Sequence, residues 1–215
     1  MIPSPPAGSE RAAIADCLPL GGADLPRDSS DASSDLRRIR LYMSELDEAW
    51  AVALREAEQK ARLTGRRDVA EYLSLKNSND LLRQAGIAWL LNSFTIHAGE
   101  ANRSGASLQI STLPGHRFKV ANSTMVGKLL TLTSGVRTLY VEAGWPRVPR
   151  DGIVRGGGLA CANIRHLGIK TASEELRLLK SNNGTPTWSV VSARRKHSLL
   201  EADVREHIRI LIDRK

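Results

Sequence analysis

The sequence predicts an α+β fold: long N-terminal helices packed on a mainly antiparallel sheet of about six strands built from hairpins, with a closing C-terminal helix. Three observations predict it. Between residues 36 and 101 apolar residues recur at helical spacing. Between 107 and 192 the period shortens to two, in paired runs divided by Pro-Gly, Ser-Gly or Asn-Asn-Gly. No sustained strand–helix alternation, the mark of a doubly wound sheet, is present.

Residues 1–33 read as a disordered tail. Pro3, Pro5, Pro6, Pro19 and Pro26 and a Ser/Asp run leave too little apolar surface to offset the entropy of ordering. Ser34 or Asp35 is placed to cap the helix that follows. In it Leu36, Ile39, Met43, Leu46, Trp50, Ala53 and Ala57 alternate in steps of three and four, the spacing of a coiled-coil seam. Such a stripe packs either on the chain's own sheet or on a partner or second copy through 36–57. Gly65 to Asp68 interrupts the pattern. A short helix over 68–75, a cap cluster at Asn77-Ser78-Asn79-Asp80 and a second strong helix over 81–101 complete a helical region, 34–104.

The basic α+β region, 105–215, makes one domain with it. Residues 107–120 read as a hairpin turning at Leu113-Pro114-Gly115-His116. Residues 128–133 and 136–142 flank Ser134-Gly135, and residues 175–180 and 186–192 flank Asn182-Asn183-Gly184. Between the last two hairpins, 158–167 reads as a Gly-led helix. Residues 199–212 read as the closing helix.

At 215 residues and 41% hydrophobic composition the chain can bury a core. No apolar run approaches the roughly 20 residues of a membrane span. The first residues lack the charged-then-apolar pattern of a secretory leader. A cytoplasmic protein with no membrane partner is expected. Cys17 and Cys161 make neither a disulfide framework nor a zinc cluster, and none of the five histidines pairs closely with another metal donor, so no metal and no cofactor are expected.

Charge is concentrated. Residues 113–170 carry nine basic and two acidic side chains, whereas 1–112 are slightly acidic. The richest stretch, 142–158, holds Trp145, Arg147, Arg150, Arg155 and the run Gly156-Gly157-Gly158. Arginine forks match phosphate geometry, glycines admit close backbone approach, Trp145 is a candidate base-stacking platform, and the N–H groups of a helix starting at Gly158 would add an anion site. Arg117, Lys119, Arg137, Arg165 and the knot Arg194-Arg195-Lys196 extend the candidate surface. No Gly-Lys-Ser/Thr ends the glycine run, and its spacing is not the dinucleotide fingerprint.

These residues point to a nucleic-acid-binding protein, RNA or DNA, contacting mainly the phosphate backbone, as a non-catalytic subunit of a ribonucleoprotein or DNA-associated assembly. Aromatics are only 4% of the chain, which argues against a stacking-rich reading surface. One alternative is a nuclease using His166 with Glu142 and Asp151, the only case in which Mg²⁺ is called for. A second is a protein–protein interaction module.

Overall fold

A computed structural model of the chain describes residues 48–181, 183–191 and 197–213. Leu36 to Leu46 of the heptad stripe and the knot Arg194-Arg195-Lys196 lie outside the described residues. The architecture is α+β: two helices, six antiparallel strands and a final helix.

Helix α1 covers residues 48–63 and α2 spans Arg67–Arg103. Its 37 residues make a rod of about 55 Å. The expected stripe is not what α1 buries: Trp50 is 57% exposed, and the buried residues are Leu54 and Ala61. The expected break inside 67–103 is absent. Asp80, expected to cap, instead bonds Arg83 at 2.7 Å and pairs with Lys76 at 3.8 Å on the helix surface. Without Gly or Pro between Arg67 and Ala85, nothing ends the helix there.

The strands β1 (Gln109–Val120), β2 (Ser123–Ser134), β3 (Arg137–Trp145), β4 (Ala160–His166), β5 (Ile169–Lys180) and β6 (Pro186–Val190) form a meander in sequence order. The hairpin expected over 107–120 is one strand. β2 is long enough to pair with both halves of β1, and Gly115, at φ +69°, is absorbed as a bulge between Pro114 and His116. Proline is tolerated there because β1 is an edge strand. The Ser134-Gly135 turn joins β2 to β3, and the Asn183-Gly184 region joins β5 to β6. The Gly-led helix over 158–167 is instead β4. Ala160, Ala162, Ile164 and His166 face one way and Cys161, Asn163 and Arg165 the other, yet all but Asn163 and Arg165 are buried. Ala160, Cys161 and Ala162 are buried on both faces, so the alternation that identifies a strand shows only over 163–166.

One face of the sheet, the inner face, packs on α2 and on α3 (Glu201–Ile212). Leu130, Leu132, Leu139, Val141, Ile164, Leu176 and Leu178 meet Ile87, Leu90 and Phe94 of α2 and Val204 and Ile208 of α3. Each fully buried side chain of this size contributes about 1.5–3 kcal/mol. Trp188 donates its ring N–H to the Gly86 carbonyl at 2.8 Å. A Cβ at Gly86 would meet Leu178 Cδ1 at 2.7 Å, so glycine sets how closely α2 approaches the sheet. On the outer face the β3–β4 loop crosses a smaller cluster of Phe118, Met125 and Cys161.

Candidate nucleic-acid interface

The β3–β4 loop is braced at three points. Asp151, buried, accepts from Arg117 Nη2 at 3.0 Å and from the backbone N–H groups of Arg147 and Val148 at 3.3 and 3.4 Å. Ser123 Oγ donates to the Ile153 carbonyl at 2.8 Å and accepts from the Ile153 N–H at 3.2 Å. Farther along, Gly156 and Gly158 leave room for Arg177: Cβ atoms there would lie 2.4 Å from its Nη1 and 2.6 Å from its Cγ. The glycine run therefore seats an arginine side chain. No helix begins at Gly158, so the expected helix N-terminal anion site does not form.

The register collects cations at this end of the sheet. After the bulge, Arg117 lies opposite Val126, which lies opposite Trp145, and Lys119 lies opposite Thr124. Lys128, two residues along from Val126, shares that face. Trp145 is 5% exposed, buried in the core with the Arg147 guanidinium 3.7 Å from its ring centroid. It acts as a floor for an arginine and offers no face to a base. Lys119, Lys128, Arg150 and Arg155 are exposed, and among the described residues none of them has a hydrogen-bond or ion-pair partner. Asp151 is bonded into this group through Arg117. Lys128 is the cation that sequence spacing left out of the candidate surface, because only the register brings it to the same face as Arg117.

Two expected phosphate ligands lie away from this end of the sheet, Arg165 opposite Tyr140 and Arg137 at the start of β3. Arg137 donates to the carbonyls of Ile210, at 3.1 Å, and Asp213, closing the C-terminal end of α3. Arg165 bonds Glu142 at 3.1 Å on the outer face.

The three groups of the nuclease alternative do not meet. Glu142 is 2% exposed and holds His116 Nε2 at 2.9 Å, Asn163 Nδ2 at 2.9 Å and Arg165. His166 pairs in register with Leu139 and so faces inward, on the opposite side of the sheet from Glu142. Asp151 is committed to Arg117 and the loop. His166 bonds His207 at 3.0 Å, and His207 lies 3.5 Å from Glu174 Oε2. Burial, with His207 beside it, pushes His166 down to about 4. Burial also pushes the Cys161 thiol up to about 11, which leaves it a packing group. Among the described residues no cluster of three metal donors occurs, and no helix is long and apolar enough to cross a membrane.

No family model, curated protein or solved structure matches the chain.

Proposed function

We propose that the protein binds nucleic acid through the phosphate backbone, at the end of the sheet formed by Arg117, Lys119, Lys128, Arg147 and Arg150, as a non-catalytic component of a larger cytoplasmic assembly. The observation that carries this is the set of exposed cations Lys119, Lys128 and Arg150 beside the loop that Asp151 braces. Surface cations are ordinarily interleaved with acids. Here the loop is rigidly held while Lys119, Lys128 and Arg150 remain unpaired among the described residues. A phosphate lattice supplies the missing counter-charges, and each contact releases condensed counterions. Trp145 is buried, so bases are not stacked at this surface and contacts to the backbone dominate.

The test is binding of labelled duplex and single-stranded RNA and DNA across a salt series. The logarithm of affinity is expected to fall linearly with the logarithm of salt. Lys119→Ala, Lys128→Ala and Arg150→Ala are each expected to reduce that slope by about 1. A slope near zero, or one unmoved by all three changes, refutes the proposal.

A further inference from the structure

The loop that carries the arginines also holds two apolar side chains in water. Ile153 is 75% exposed and Val148 41%. Their positions are built. Ser123 Oγ is bonded to both the carbonyl and the N–H of Ile153, and Asp151 accepts from Val148 N–H. Gly152, between them at φ +91°, lies so close to Ser123 that a Cβ would stand 2.5 Å from its Oγ. The bend and the brace therefore need each other. A braced tip that leaves β-branched side chains exposed has the character of a contact surface.

The surroundings of this tip are cationic. Arg150 and Arg155 flank Ile153 in sequence, both exposed and both without a partner among the described residues. An apolar tip between cations matches a groove with phosphates on both rims and an apolar slot between base pairs. The minor groove of DNA provides both when one base step opens. The minor groove of A-form RNA is wide and shallow and gives no comparable slot.

We propose that Ile153 is a wedge that enters the minor groove of duplex DNA and unstacks one base step while Arg150 and Arg155 hold the flanking phosphates. This rests on the backbone-binding reading above and adds the duplex, the groove and the deformation.

The experiment uses the full chain and a short DNA duplex with 2-aminopurine at a central TA step. Wild-type protein is expected to raise the 2-aminopurine fluorescence on binding. Ile153→Ser is expected to bind about tenfold more weakly, with no fluorescence rise and an unchanged salt slope. Its thermal midpoint is expected to match wild type, because the side chain is exposed. The wedge is overturned if Ile153→Ser binds and unstacks DNA as wild type does. Equal affinity for an RNA duplex of the same sequence also overturns it. Absence of any salt-dependent binding by wild-type protein removes the backbone reading and the wedge with it. Salt-dependent binding that ignores Ile153 removes only the wedge.

Discussion

Acidification between pH 6.5 and 4.5 is expected to destabilise the fold through one buried pair. His166 and His207 share a hydrogen bond of 3.0 Å between the sheet and α3, with ring centroids 5.3 Å apart. Burial and the neighbouring ring lower His166 from 6.5 to about 4. The unfolded chain therefore takes up a proton near pH 6.5, whereas the folded chain resists it until about pH 4. In that window the unfolded state binds more protons, so stability rises with pH and is lost as pH falls. The full difference is roughly 3 kcal/mol at the bottom of the window, at about 1.4 kcal/mol per pH unit. That is a large share of the 5–15 kcal/mol typical of a domain. Urea unfolding at steps from pH 7 to pH 4 measures it, with the slope between pH 6.5 and 4.5 as the readout. Carboxylates such as Glu174, whose protonation His207 opposes, add their own loss mainly below that range. His166→Asn is expected to be less stable by about 1 kcal/mol at pH 7 and to lose most of the slope. A flat profile between pH 6.5 and 4.5, or an equal slope in His166→Asn, refutes the reasoning.

Two further outcomes separate structure from binding. Gly127→Ala is expected to cost at least about 3 kcal/mol in thermal or urea unfolding, because its Cβ would stand 1.9 Å from the Ala143 carbonyl oxygen, where backbone meets backbone and no rotamer gives relief. Arg137→Ala is expected to lower stability by about 1 kcal/mol by freeing the end of α3, while leaving nucleic-acid affinity unchanged; a loss of affinity matching that of Lys119→Ala returns Arg137 to the interface.

Much of the fold was legible before any contact was known. The closing helix, the turn at Gly135 and the β5–β6 hairpin follow from local pattern, because one face of each meets water or a turn demands glycine. Pro114-Gly115 shows where local chemistry runs out. The same dipeptide satisfies a turn or a bulge, and β2, pairing with both halves, selects the bulge. The segment 160–166 lacks a strand period at its start because Ala160, Cys161 and Ala162 are buried on both faces, and the alternation over 163–166 is too short to identify a strand.

The candidate site divides in the same way. Its charge was visible as nine basic residues against two acidic ones over 113–170. Which cations stay unpaired was not. Arg137 finds its acceptor 73 residues away at Ile210, and Arg165 finds Glu142 at a separation of 23. His166 and Glu142 share a charged stretch of chain, but strand alternation sends them to opposite faces.

By itself, then, the sequence determined the α+β class, the hairpin-built antiparallel sheet and the basic character of residues 113–170. These depend on periodicity and composition, which are local properties of a chain. Only the tertiary structure decided that β1 is one strand and β4 a strand at all, that Trp145 lies beneath Arg147, and that Lys119, Lys128 and Arg150 remain unpaired among the described residues. Those outcomes depend on register and on partners distant in sequence, and no local spacing encodes which carboxylate or carbonyl an arginine will reach once the sheet is assembled.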